Sequence, residues 1–317
     1  MKDPATRQSS AIVALLGRAA RTRRGKLGLT LAGVVVAVAF VGPFVAPYSP
    51  TRLFGAPFTP PDSSHWLGLD YVGRDALSRV LAGGVSILPL AITATLLGVV
   101  IGAFLGVSAG YRGGAYDEAT MRTLDMLLAI PQIILALLLI SVAGTSPALV
   151  CAAVVLIHAP QVARVARAGT IRAADEDFVR YSEALGTSRS RIMASDILPM
   201  VSTPLLVEAA LRLTYSIAII ASLNFLGFGT QPPAPDWGSM INENRIGIVQ
   251  NPWPVVVPVV LVALLTVGAS MYADAISRFA LGIDLVLASA ADVVRIEQDV
   301  PRADEDAVST AVAREET

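Results

Sequence analysis

Few residues in this chain could do covalent chemistry. His65 and His158 are the only histidines and Cys151 is the only cysteine. That is too few for a His/Cys-rich metal centre, and it excludes an intrachain disulfide. Gly25-Lys26 could end a phosphate-binding loop, but Ala20 and Leu27 stand where such a loop needs Gly and Ser/Thr. No nucleophile–base set, paired carboxylate site or glycine-rich nucleotide loop is present, so neither cofactor nor metal is expected. What remains is a small group of polar residues inside long apolar runs: Asp125, His158, Glu208, Arg212 and Asn224. Groups of this kind either line a pathway or tie helices together. Glu208 and Arg212 stand four apart, share a helix face and can pair; Asp125 can pair with Arg122 at i,i+3 spacing. His158, close to Gln161, reads first as a neutral hydrogen-bonding tie and second as a member of a proton relay.

The elements that position these groups follow from composition. The chain has 317 residues, 54% hydrophobic and only 15% charged, against about 25% charge in soluble domains. This is an all-α, polytopic membrane composition. A net charge of −1 calls for no nucleic-acid partner. Apolar runs at 27–46, 87–109, 124–143, 147–163, 203–225 and 253–276 predict six transmembrane helices. At about 1.5 Å per residue, each can cross a hydrocarbon core of about 30 Å. Pro131, inside the third run, is expected as a tolerable kink. The first run is longer than a signal-peptide core and lacks an Ala-x-Ala site, so it is expected to stay uncleaved.

Basic residues set the sides. Arg18, Arg21, Arg23, Arg24 and Lys26 precede the first run. Arg164, Arg167, Arg172, Arg180, Arg189 and Arg191 load the loop between the fourth and fifth. The expected organisation is a basic cytoplasmic N-terminus at 1–26, a first span at 27–46 and a proline-rich extracytoplasmic loop at 47–86. A membrane core follows at 87–282. An acidic, alanine-rich cytoplasmic tail at 283–317 reads as poorly ordered.

The polar island 164–199 organises the rest. Asp175 is a plausible N-cap, with Glu176 and Asp177 in the first turn, where the helix dipole favours anions. Gly186 can close that helix in the left-handed conformation. Thr187 or Ser188 can then cap a second helix carrying Arg189, Arg191, Ile192, Ile197 and Leu198, with Pro199 limiting its continuation. Helix, glycine turn, helix on a membrane surface is a docking element.

The order Phe178-Val179, Ala184-Leu185-Gly186 and Ile197-Leu198-Pro199 resembles the cytoplasmic coupling loop of ABC-importer permease subunits. Arg180-Tyr181-Ser182 stand where that family has Glu-Ala-Ala, and Glu183 falls three positions late. Two further regions resemble the dipeptide/oligopeptide/nickel branch, C type. One is His65-Trp66-Leu67-Gly68-Leu69-Asp70 with Gly73-Arg74-Asp75-Ala76-Leu77-Ser78-Arg79. The other is Leu223-Asn224-Phe225-Leu226-Gly227-Phe228-Gly229 with Gln231-Pro232-Pro233 and Asp236-Trp237-Gly238. Arg122, Asp125 and Pro131 also resemble the family's pattern.

The resemblance implies an ATPase-coupling loop built on Phe178, Val179, Glu183, Ala184, Leu185 and Gly186, continued by Arg191, Ile197, Leu198 and Pro199. It implies an extracytoplasmic signature at Gly68, Asp70, Gly73, Arg74, Asp75 and Arg79, and at Gly227, Gly229, Pro232, Pro233, Trp237 and Gly238. Without the resemblance, Arg74, Asp75 and Arg79 are solvated or locally paired charges, and Trp237 is an interfacial anchor. The implied protein is a non-catalytic permease subunit in the cytoplasmic membrane, carrying di- or oligopeptides, both termini inside. Implied partners are a second permease, two ATPase subunits, an extracytoplasmic solute-binding protein and the lipid bilayer. The alternatives are an importer for nickel or another small solute, and an ion-coupled carrier using Asp125, His158, Glu208 and Arg212 as a relay. A non-transporting membrane scaffold is a third.

Overall fold

The computed structural model describes residues 4–280, with side chains from residue 13 onward. The tail expected at 283–317 lies outside the described residues. The chain is an all-α polytopic bundle. In order, its helices are α1 (Pro4–Arg21), α2 (Arg23–Val45), α3 (Ala76–Ala82), α4 (Ile87–Arg112), α5 (Gly114–Ala129), α6 (Gln132–Ala143), α7 (Pro147–Ala174), α8 (Asp177–Ala184), α9 (Arg189–Ile192), α10 (Leu198–Phe225), α11 (Trp237–Asn244) and α12 (Trp253–Ala280). Five stretches are long and apolar enough to cross a membrane, and α5 with α6 makes a sixth if that bent pair is one crossing.

The centre of the bundle is α4 against α7. Gly98, Gly102, Gly106 and Gly110 recur every four residues down α4 and face α7. Small residues at this spacing let two backbones approach where lipid gives no hydrophobic drive. A Cβ on Gly102 would lie 2.6 Å from the Ala159 carbonyl oxygen, closer than packing allows. α10 and α12 complete the core, and α2 packs on α12. The outward side of α2 leaves Leu27, Leu29, Val34 and Phe44 exposed, as a lipid-facing helix must.

Several elements depart from the sequence reading. The basic N-terminus contains a helix of its own, α1. The third run is not a kinked span: α5 and α6 meet at 91°. Pro131 has no N–H to continue the ladder and forces Ile130 into extended backbone (φ −86°, ψ 129°). α7 runs on past 163 to Ala174, its interior Pro160 notwithstanding. Pro199 does not stop the second loop helix. α9 passes through a π-helical turn, Met193–Ile197, directly into α10. Pro199 sits in the first turn of α10, where a missing N–H costs little.

Candidate functional site

At one end of the bundle, α8 hangs below α4, α7 and the start of α10. Glu176, not Asp175, occupies its N-cap position, and no side chain caps it. Asp175 instead closes α7 and faces Arg180 at 3.4 Å. The C-terminal end follows the expectation. Gly186 is left-handed at φ +74°. Its N–H donates to the Glu183 carbonyl (2.9 Å), and the Thr187 N–H donates to the Ser182 carbonyl (3.1 Å). These are the two bonds of a Schellman cap. Ser188 takes the N-cap position of α9 without a side-chain bond.

Val179 is fully buried, packed with Ile192, Ile197 and Val201 against Val107 of α4 and with Val162, Ala166 and Ala173 of α7. Phe178, Tyr181 and Leu185 point the other way and are 47%, 66% and 66% exposed. Ala184, Arg191 and Leu198 are exposed too. One buried valine thus anchors a helix whose apolar remainder is left exposed among the described residues, the mark of an interaction surface. Glu183 accepts a hydrogen bond from the Tyr111 hydroxyl at the end of α4 (2.7 Å). Above it, Arg167 grips Asp117 with two bonds of 2.5 Å, and Arg164 meets Asp125 at 2.6 Å, lashing α5 to α7. Asp125 therefore does not pair with Arg122, which binds Glu118 instead.

Inside the bundle, His158 Nε2 lies 2.9 Å from Ser216 Oγ, which lies 2.8 Å from Thr95 Oγ1. Thr95 spends its proton on the Ala91 carbonyl. Ser216 therefore donates to Thr95 and accepts from His158, which places a proton on Nε2. This ties α4, α7 and α10. One turn away, Arg212 pairs with Glu208 at 2.8 Å, donates to Gln161 of α7 and covers the Tyr215 ring at 5.0 Å. Asp125 stands apart from both ties, so the four candidates do not assemble into one relay. Between α4, α5 and α7 lies an apolar cleft of about 1080 Å³, bordered by Leu90, Leu97, Cys151, Val155 and Asn224.

At the other end, residues 47–86 fold into a cap with α11. Arg79 is fully buried; its Nε lies 3.2 Å from Asp70 and its Nη2 lies 2.8 Å from Glu243. It is neither solvated nor only locally paired. Asp70 also accepts from the backbone N–H of Val72 and Arg74. Arg74 is half-buried beside it. Asp75 caps α3 by accepting from the Ser78 N–H and hydroxyl. Gly68 and Gly73 are left-handed (φ +69° and +86°), and a Cβ on Gly73 would collide with the Gly55 carbonyl. Burial pushes the Glu243 carboxyl up, and Arg79 opposes that rise.

Trp237 is fully buried rather than an interfacial anchor, and its indole donates to the Val80 carbonyl (2.8 Å). Asp236 caps α11 and accepts from the Ser86 hydroxyl at 2.6 Å. Gly238 lets the start of α11 approach α10: a Cβ there would lie 2.6 Å from the Ala221 carbonyl. Gly227 is left-handed at φ +89° and closes α10; Gly229 packs on the buried Asn224 side chain; Pro232 and Pro233 follow in the exposed connection. Three cap residues were not legible in the sequence. Glu243 holds Arg79, Asn244 accepts from the Tyr71 N–H (2.9 Å), and Asn251 donates to the Leu67 and Leu69 carbonyls (2.9 and 3.1 Å). Their only signal is polarity in a short segment between two apolar runs.

The structure is thus a polytopic helical bundle with a locked polar cap at one end and, among the described residues, an exposed helical hook at the other. The comparisons name the family. Residues 98–280 match the family described as binding-protein-dependent transport system inner membrane component. The chain is 34% identical over 243 residues to the glutathione transport system permease protein GsiD of Pectobacterium atrosepticum, covering 76% of this chain and 81% of that protein. It is 35% identical over 259 residues to the GsiD proteins of Escherichia coli O1:K1 and Shigella boydii serotype 4, covering 80% of this chain and 86% of each. The chain belongs to this family of inner membrane components and is an ABC-importer permease.

Proposed function

We propose that the chain carries peptides across the cytoplasmic membrane, powered by separate ATPase subunits that dock on α8. The GsiD relatives are named for glutathione, a tripeptide, which favours a short peptide over nickel or another small solute. A second permease and an extracytoplasmic binding protein complete the assembly. The binding protein meets the cap end, and both termini lie inside. The coupling surface is Phe178, Ala184 and Leu185, with Tyr181 beside them and Arg191 and Leu198 at its edge.

The observation that carries this reading is the division of α8: Val179 buried in the bundle, Phe178, Tyr181 and Leu185 left bare. A push on the bare face reaches α4, α7 and α10 through Val179, Ile192, Ile197 and Val201. Glu183 and Tyr111 add a polar link to α4. The ties at His158 and Arg212 make α7 and α10 move together.

The test is reconstitution with the cognate ATPases, permease and binding protein. Peptide-loaded binding protein is expected to raise ATP turnover, since coupling between two sites is reciprocal. Leu185→Asp places a charge on the bare face and is expected to abolish peptide-stimulated turnover while leaving helicity and yield unchanged. Parental transport by Leu185→Asp would overturn the docking assignment. ATP hydrolysis by the purified single chain would overturn the division of labour.

A further inference from the structure

The corner between α1 and α2 carries a concentration of positive charge that the transport reading does not use. Arg18, Arg21, Arg23, Arg24 and Lys26 fall within nine residues and are all exposed. Among the described residues, none makes an ion pair. Asp274, on the adjoining turn of α12, is exposed and pairs with none of them. The corner is fixed in place. Leu15, Leu16 and Ala19 pack on Val207, Ala210, Ala275, Ile276 and Phe279. The Tyr272 hydroxyl donates to the Leu16 carbonyl at 3.3 Å. Thr22 pins the junction, donating to the Ala19 carbonyl (2.8 Å) and accepting from the Gly25 N–H (2.9 Å). Gly25 is the residue that allows it, because a Cβ there would collide with the Ala19 carbonyl.

Five like charges held on a rigid corner repel one another unless a counter-charge covers them. Their level identifies that counter-charge. The lipid-facing side of α2 begins at once, with Leu27 57% and Leu29 49% exposed. Arg23, Arg24 and Lys26 therefore stand within about one helical turn of the acyl region, at headgroup depth, and Arg18 and Arg21 join them from the last turn of α1. A surface helix with a charged face beside a span is the arrangement that recruits anionic lipid. We propose that the α1–α2 corner is a binding site for anionic phospholipid, its guanidinium groups engaging lipid phosphates. This assignment does not depend on the peptide or on the ATPase.

The acidic segment 281–317 is the competing occupant, since it follows α12 beside α1. Exposed leucines immediately beyond the cations favour lipid over a polar peptide. The experiment is native mass spectrometry of the full-length chain, offered phosphatidylglycerol and phosphatidylcholine in equal amounts. The variant is Arg18→Gln/Arg21→Gln, which keeps Arg23, Arg24 and Lys26 to hold the membrane orientation. Phosphatidylglycerol is expected to be preferred, and the preference to fall about tenfold or more in the variant. Arg18→Lys/Arg21→Lys is expected to retain it. No preference in the parent, or an unchanged preference in the glutamine variant, would overturn the site. So would a preference that appears only in a chain ending at Ala280, which would assign the corner to the acidic segment.

Discussion

At the scale of single residues, Arg79 is the most exacting choice in the cap. It is fully buried between Asp70 and Glu243. Removing one partner of such a set leaves charges with neither water nor a counter-ion, a loss of about 3–5 kcal/mol. Arg79→Met is therefore expected to loosen the cap, read as faster proteolysis within 47–86. The loss depends on pH with a definite sign. Burial raises the Glu243 pKa and Arg79 holds that rise down, so without Arg79 the folded-state pKa climbs further. A carboxyl with a raised folded pKa binds protons more tightly folded than unfolded. Stability then falls as pH rises from the unfolded value toward the folded one. The variant is expected to lose more at pH 8 than at pH 5, and an equal loss at both would refute the role of Glu243. The sequence revealed local partners only. Glu208–Arg212 was legible because i,i+4 geometry is fixed by the helix. Asp125 was misassigned because its true partner is 39 residues away. Trp237 was misplaced because its acceptor is 157 residues away.

At the scale of elements, the loop 164–199 was legible where backbone chemistry is local and illegible where packing decides. Gly186 announced a helix end, and the Schellman cap is there. Pro199 announced a stop, but a proline is equally at home in a first turn, and only the packing of Ile192, Ile197 and Val201 settles that the helix goes on. The same holds for Pro131, where kink and right-angle break share one sequence signal. Gly186→Ala is expected to cost about 1 kcal/mol, all of it from the left-handed backbone, because a Cβ there meets nothing within 4 Å. Gly186→Trp projects a large ring beside the bare face of α8. It is expected to spare insertion and abolish uptake, and transport at the parental level would refute a coupling role. Tyr111→Phe separates force transfer from folding. It removes one exposed hydrogen bond, to Glu183, worth about 1–2 kcal/mol. Transport per ATP is expected to fall with thermal stability near the parent's, and an unchanged ratio would assign force transfer to the Val179 cluster alone.

At the scale of the whole molecule, the sides of the membrane follow from charge, and the fold makes them testable. Five of the six expected crossings were legible because hydrocarbon thickness dictates run length, while the third run is divided between the bent pair α5 and α6. The ends of the helices were not, since α7 to Ala174 and the 189–225 arm project beyond any apolar run. Those projections carry the arginines, among them Arg164, Arg167, Arg172, Arg189 and Arg191. Positive loops stay on the cytoplasmic side, so the α8 hook is expected inside and the cap outside. Ser188 and Ser63 are both exposed in the fold. A cysteine at either site therefore differs in reactivity only by the side it faces. In a Cys151→Ala background, which removes the only native thiol, Ser63→Cys is expected to react with an impermeant maleimide in intact cells. Ser188→Cys is expected to react only after the membrane is opened. Labelling of both after permeabilisation confirms that each thiol is accessible. The reverse order in intact cells would invert the orientation, place the hook outside and remove α8 from the reach of any cytoplasmic ATPase.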